Sequence, residues 1–240
     1  MTDRSIALVT GANKGIGLEI SRQLAAAGVH VIMAARDPKK LVAEAKDLAR
    51  MGRSVSTVAL DLLDRASIDA ATRSVAEAFG RLDILVNNAG IFDPADGPPD
   101  TASLDAVRQV VDTNFLGTLS VTQAMLPLLR QSSEGRIVNL ASSLGSLAVN
   151  KDPSSPYYAA RFIGYNASKA ALNMLTVQLH ETLKGEGIAV NSVSPGFVKT
   201  DLTGQGIMTP EEGARLPVEF ALGLRQGSGG FHEPDGVTPW

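Results

Sequence analysis

The stretch "SIALVTGANKGIGLEISRQLAAAG", residues 5–28, decides the fold. Its first six residues are an apolar run that ends at a glycine, the pattern of a short strand buried on both faces. From Gly15 onward, apolar residues recur at helical spacing until Gly28, which is placed to end a helix. Between strand and helix, "TGANKGIG" (10–17) must turn the chain tightly. Gly11 allows the turn, Gly15 lets the backbone approach a ligand, and Gly17 permits close packing of helix on strand.

The same alternation runs outward through the chain. Strands are expected at 29–36, 54–61, 82–90, 135–143 and 187–196. Helical patterns lie at 38–52, 65–80, 101–130 and 165–184. Strands that are apolar throughout, each followed by a helix, predict a parallel sheet covered on both faces. Right-handed crossovers make that a doubly wound, Rossmann-type α/β fold. No break in composition divides the chain, so residues 1–240 read as a single domain.

Two segments break the rhythm. Residues 144–164 carry two prolines and several aromatics between a strand and a helix, and residues 201–217 form a long connection after the last strand. Both follow carboxyl ends of strands, where open α/β sheets bind ligands, so both are expected to border a binding pocket.

Composition narrows the function. Hydrophobic residues make up 44% and charged residues 20%, with a net charge of −3, which suits an ordinary globular chain and gives nucleic acid no basic surface. The chain has no cysteine, which excludes disulfides and thiolate chemistry, and its three histidines lack metal-ligand spacing, so no metal is expected. No apolar run near the start is long enough for a signal peptide or membrane span, so the expected location is the cytoplasm with no membrane partner.

The glycine loop has the spacing G-x-x-x-G-x-G. Free N–H groups at the start of its helix suit a pyrophosphate, although a purely structural turn has the same glycines. It is not a P-loop, since no Gly-Lys-Ser/Thr follows. "YNASKAALNML" (165–175) raises a second question, because Tyr165 and Lys169 share one helical face. A tyrosine closing the core and a lysine reaching to water would be an ordinary account of that pair.

Taken in order, these motifs resemble those of the short-chain dehydrogenase/reductase family over residues 5 to about 200. They are "TGANKGIG" at 10–17, Asp61, "NNAG" at 87–90, Asn114 in "DTNFLGT", "NLASSLG" at 139–145, "YNASK" at 165–169 and "SPGFVKT" at 194–200. The resemblance implies hydride transfer between a nicotinamide and a carbonyl or alcohol, with Asn114, Ser142, Tyr165 and Lys169 as the catalytic set. The family pattern places the serine three residues before a glycine, which selects Ser142 over Ser143. Lys169 is then expected to bind the nicotinamide ribose and Asn114 to hold a water that links Lys169 to solvent. An ammonium about 4 Å from a phenol, at an effective dielectric of about 20, is worth roughly 4 kcal/mol. Lys169 is therefore expected to draw the Tyr165 pKa down toward working pH.

The implied cofactor site comprises Gly11, Asn13, Lys14, Gly15, Ile16 and Gly17, then Arg36, Asp61 and Leu62. It continues through Asn87, Ala89 and Gly90 to Tyr165 and Lys169, and ends with Pro195, Gly196, Val198 and Thr200. Asp61 would accept from the adenine amino group, or simply cap a helix. Asn87 would shape the loop and also has a structural reading as part of an Asx-rich turn. An NAD enzyme carries an acid at the end of the second strand; here that position is Ala35, with Arg36 after it and Lys14 nearby. Cations without an acid favour a 2′-phosphate, hence NADP(H).

Phe92, Ser142, Leu144, Tyr157, Tyr165 and Phe197, with Met208, suggest a small apolar or aromatic carbonyl or alcohol as substrate. Ser142 and Tyr165 stand 23 positions apart, wider than in many members of the family. That spacing and the C-terminal "GSGGFHEPDGVTPW" are similar to the carbonyl-reductase branch. The insertion puts the family's usual tetramer in doubt and leaves monomer and homodimer both open. A catalytically silent NADPH-binding module that senses redox state is the alternative, and a broken catalytic set would be its mark.

Overall fold

A computed structural model describes residues 4–240. The chain alternates as expected: β1 (Ile6–Thr10), α1 (Gly15–Ala26), β2 (His30–Ala35), α2 (Val42–Arg50), β3 (Val55–Ala59), α3 (Arg65–Phe79) and β4 (Ile84–Asn87). After these come α4 (Leu104–Val111), α5 (Thr118–Leu129), β5 (Gly135–Leu140), α6 (Leu147–Lys151), α7 (Ile163–Thr182) and β6 (Ile188–Val193). Three elements follow that the sequence reading did not assign, α8 (Pro210–Ala221), β7 (Phe231–Glu233) and β8 (Gly236–Val237).

One sheet runs in the order β3-β2-β1-β4-β5-β6-β7-β8. All neighbours are parallel except β7 and β8, which form an antiparallel hairpin at the edge. The order reverses between β1 and β4, and a doubly wound sheet opens its ligand crevice at such a switch point.

The alternation of side chains along each strand divides the core into two layers. Ala7, Val9, Val31, Met33, Val86 and Val138 pack with α1 and α8 on one face. Ile6, Leu8, Ile32, Leu85, Ile137 and Val190 pack with α3 and α5 on the other. Both layers are needed to hide the continuous apolar strands, which explains why these segments are not half polar.

Two expectations need correction. Residues 201–217 are not one connection, because α8 begins at Pro210. Thr209 accepts from the Glu212 N–H while the Glu212 carboxylate accepts from the Thr209 N–H, a reciprocal cap with proline at the first helical position. The helical pattern over 101–130 is likewise interrupted. Asp112–Gly117 forms a π turn between α4 and α5. A Cβ on Gly117 would lie 2.8 Å from the Leu62 Cβ, so the chain approaches closely where the helix widens.

Candidate active site

The loops at the carboxyl ends of β1, β2, β3, β4 and β5 surround a cavity of about 580 Å³ at the switch point. Its floor begins with the glycine loop. Gly11 and Gly15 have φ of 65° and 55°, which side chains other than glycine rarely adopt. A Cβ on Gly17 would lie 2.4 Å from Asn88 Nδ2 and 2.5 Å from the Gly11 carbonyl oxygen, so this glycine lets the turn close on the next loop. Gly11, Asn13, Lys14, Gly15, Ile16 and Gly17 all line the cavity.

Thr10 fixes the adjoining floor. Its hydroxyl accepts from the N–H groups of Asn88 and Ala89, each at 3.0 Å. Asn88 Nδ2 donates to the Thr10 carbonyl at 2.9 Å. Asn88, Ala89, Gly90 and Phe92 line the cavity, whereas Asn87 does not. Asn87 is buried and donates to Thr122 Oγ1 at 3.0 Å and Asn139 Oδ1 at 2.8 Å, on the α5 side of the sheet. Asn87, expected at the cofactor, therefore stands off the cavity, and Asn88, one residue on, lines it. Strand alternation carries the signal: Asn87 shares a face with Leu85, and Asn88 shares the α1 face with Val86.

At the far end of β2, Ala35 and Arg36 line the cavity, joined by Lys40, which sequence reading missed. Arg36 is exposed and has no carboxylate partner among the described residues. Lys14 does have one: its ammonium meets Asp201 Oδ2 at 2.7 Å, and both groups are exposed. Lys14 is thus not the free cation that its position in the loop suggested. Asp61 and Leu62 line the cavity beyond β3, with Asp61 Oδ1 accepting from the Leu63 N–H at 3.0 Å.

Tyr165 and Lys169 meet the cavity from α7. Ser142 is hydrogen-bonded to Tyr165, while its neighbour Ser143 donates to Glu233 and lies 3.3 Å from Ser194 Oγ. Only Ser142 of the two is joined to Tyr165, and neither lines the cavity. Gly145 makes the approach possible, since a Cβ there would lie 2.6 Å from the Lys169 carbonyl carbon. Lys169 is only 5% exposed and donates to the Leu140 carbonyl at 2.7 Å. An ammonium has three donors, and among the described residues this is its one protein acceptor. Burial lowers the Lys169 pKa to about 8. Its ammonium lies 5.6 Å from the centre of the Tyr165 ring.

The electrostatic expectation for Tyr165 is overturned. Burial pushes its pKa up to about 12, with the hydrogen bond to Ser142 opposing. Desolvation of the phenolate outweighs the ammonium, which is turned toward Leu140.

Asn114 sits within the π turn and is fully buried. Its Oδ1 accepts from the Ile91 N–H at 2.8 Å, and its Nδ2 donates to the Ile91 carbonyl at 2.9 Å and to Ser168 Oγ at 3.1 Å. The side chain clamps the loop after β4 beside Gly90 and makes no hydrogen bond to Lys169. Of the last loop, Pro195 and Thr200 line the cavity. Gly196 and Val198 do not; Val198 is buried, and Gly196 backs onto Met208. Phe92 lies against both Phe162 and Tyr165, with ring centres 5.0 and 6.1 Å apart. Leu144, Tyr157 and Phe197 stand outside this cavity, and the Tyr157 hydroxyl instead hydrogen-bonds Ser143.

These residues fit a nicotinamide dinucleotide. The cavity has the size of a cofactor site, with a glycine-lined helix start in its middle, cations at one end and an under-satisfied buried ammonium at the other.

Comparison with known proteins agrees. The family model "short chain dehydrogenase" matches residues 5–209. The chain is 38% identical to the short-chain dehydrogenase anuI of Penicillium roqueforti, over 91% of this chain and 88% of that protein. It is 30% identical to (+)-neomenthol dehydrogenase of Capsicum annuum, over 96% and 95%. The crystal structure of NADPH-bound carbonyl reductase from chicken fatty liver superimposes with a TM-score of 0.84 at 31% identity, covering 99% of this chain and 95% of that one. Motif order, sheet topology and these likenesses agree, and the chain belongs to the short-chain dehydrogenase/reductase family.

Proposed function

We propose that this chain is an NADPH-dependent reductase of ketones or aldehydes, with Ser142, Tyr165 and Lys169 as its reacting group. The observation that carries the reading is that Tyr165 and Lys169 line one end of the cavity, while Ser142, itself outside the lining, is hydrogen-bonded to Tyr165. When bound, the reduced nicotinamide supplies the hydride. Ser142 Oγ–H and Tyr165 Oη–H would donate to the carbonyl oxygen, and Tyr165 would release its proton to that oxygen as the alkoxide forms. Lys169 would offer its remaining N–H donors to the cofactor ribose. Asn114 holds the floor at Ile91, which keeps Gly90 close to Lys169.

At neutral pH Tyr165 carries its proton, the state in which a phenol can donate to a carbonyl oxygen, and the direction of turnover is set by the cofactor couple. Arg36 and Lys40 are placed for a 2′-phosphate, and Ala35 leaves no acid to repel it. Phe92 and Phe162 offer aromatic edges next to Tyr165, which supports an apolar or aromatic substrate. Residues 144–164 and 201–217 would border the substrate side of the cavity. No helix among the described residues is long and apolar enough to cross a membrane. The reading places the enzyme in the cytoplasm as a monomer or a homodimer, which gel filtration distinguishes.

The test is turnover of a panel of ketones and aldehydes with NADPH, together with Tyr165→Phe. Loss of the proton donor should cost about 10²- to 10⁴-fold in kcat, with NADPH affinity nearly unchanged. Wild-type rates in that variant would remove the assignment. NADPH binding with no turnover of any carbonyl would favour the silent module instead.

A further inference from the structure

The helix that carries Tyr165 has no cap of its own. Phe162 occupies the capping position and offers no side-chain acceptor. The first N–H groups of a helix need partners from outside it, and here they are satisfied from a loop nearly 70 residues earlier in the chain. Asp96 Oδ1 accepts from the Gly164 N–H at 2.9 Å, and Asp96 Oδ2 accepts from the Tyr165 N–H at 2.8 Å. The Ile163 N–H donates to the Gly97 carbonyl at 2.9 Å. Asp96 is only 5% exposed and has no cation partner among the described residues. A buried carboxylate without a counter-ion is costly unless its oxygens are well hydrogen-bonded; Asp96 has three donors, the Gly97 N–H on Oδ1 at 2.9 Å and two from the helix N-terminus, which adds favourable partial charge.

The approach depends on Gly164. A Cβ there would lie 3.0 Å from Val107 Cα and 3.1 Å from Asp96 Oδ2, so a side chain would drive α7 off the carboxylate. The loop behind Asp96 is itself held. The Asp96 N–H donates to the Asp93 carbonyl at 2.9 Å, and the Ser103 N–H donates to the Ala95 carbonyl at 3.0 Å. The same loop starts at Phe92 and Pro94, which line the cavity.

We infer that Asp96 is a positioning residue, which fixes Tyr165 by its backbone and ties the rim of the cofactor cavity to the start of the catalytic helix. This rests on the proposed reductase function, but its consequence for Tyr165 can be measured without turnover. An aspartate in this place does more than end a helix, because it grips the N–H of the reacting residue itself. Displacing that residue by a fraction of an ångström changes the distance between its hydroxyl and both Ser142 and the cavity.

The experiment compares wild type, Asp96→Asn and Asp96→Ala. Asparagine keeps the volume and one acceptor but opposes an N–H with its own amide; alanine removes both acceptors. Rates are normalised to NADPH sites titrated by fluorescence, so unfolded protein does not count. The expected result is a loss in kcat of about tenfold or more in both variants, as small misplacements of a reacting group give, with substrate KM changed much less. The second readout is NMR of tyrosines labelled at Cζ, simple in a chain with three tyrosines. In Asp96→Asn the Tyr165 midpoint should fall from the wild-type value toward 10 as the phenol becomes wetter, with Tyr157 and Tyr158 unchanged. Wild-type kcat per NADPH site together with an unmoved Tyr165 titration would overturn the inference. If wild type turns over no carbonyl but the Tyr165 titration still moves in Asp96→Asn, the reductase reading fails and the positioning role stands.

Discussion

An ammonium that is 5% exposed at the cavity end ties this site to pH. Lys169 loses its proton near pH 8 in the folded protein and near 10.5 unfolded. The native state therefore binds fewer protons between those values, and stability rises with pH across that window. Below about 8 both states are protonated and the full burial cost is present. Lys169→Met should be more resistant to heat than wild type at pH 7, with the difference shrinking as pH climbs toward 10.5, as melting curves would record. Tyr165 acts oppositely, since its native pKa is raised to about 12 from 10, so stability is lost as pH rises through that range. For activity, kcat/KM in the reductive direction should decline above about pH 8 as the ammonium is lost. A profile flat to pH 10 would separate Lys169 charge from catalysis. Gly145 is the other sensitive position. Its missing Cβ would press on the backbone of Lys169 at 2.6 Å. Gly145→Ala should cost about 1–3 kcal/mol of stability by overpacking, with a fall in kcat as Ser142 moves from Tyr165.

At the scale of elements, the connections that follow the strands line the cavity, and two of them carry the predictions about cofactor preference. Ala35→Asp with Arg36→Ala should shift preference toward NADH, because an acid would bind the 2′-hydroxyl and the phosphate would lose its guanidinium. The ratio of kcat/KM for the two cofactors measures it, and an unchanged ratio would move the 2′ site elsewhere. Lys14 bridges to Asp201 and so joins the glycine loop to the segment before α8. Exposed pairs of this kind are worth about 0.2–1 kcal/mol. Asp201→Ala should release Lys14 to the phosphate and tighten NADPH by up to about fivefold at low salt, an effect that added salt should erase. In the insertion, the two adjacent tyrosines differ. Tyr157 is half-buried and reaches Ser143, whereas Tyr158 is exposed beneath the Arg161 guanidinium, 4.4 Å from its ring centre. Tyr157→Ala should alter KM or substrate ranking, and Tyr158→Ala should leave kcat/KM within about twofold, under 0.5 kcal/mol.

Across the whole molecule, the parallel sheet was legible because its inner strands, β1, β2, β4, β5 and β6, are buried on both faces and are largely apolar. Helical spacing puts residues 165 and 169 on one side of α7, but it was the resemblance of the ordered motifs to a known family that marked them as a candidate catalytic pair. Other features depend on contacts between segments far apart in the chain. Asp96 and Tyr165 are 69 positions apart, and no local pattern announces that hydrogen bond. The π turn at Asn114 includes Gly117, which packs closely on Leu62, a contact between segments 55 positions apart that no local pattern announces. The start of α8 was readable in Thr209-Pro210-Glu211-Glu212, but Gly213 and Pro217 within it obscured the helical period. The edge hairpin of β7 and β8 is too short to show an alternation. That hairpin leads to Trp240, which stacks on Phe231 at 5.7 Å, while the carbonyls of Pro239 and Trp240 accept from Ser146 and Ala148 at the entry to α6. Trp240 is the one tryptophan in the sequence, so the molecule carries a single indole, which can be excited selectively over its three tyrosines, beside the insertion. Reduced nicotinamide absorbs in the band where indole emits. Quenching of that emission by energy transfer would report cofactor occupancy, and a change in its colour would report release of the tail, both without an attached dye.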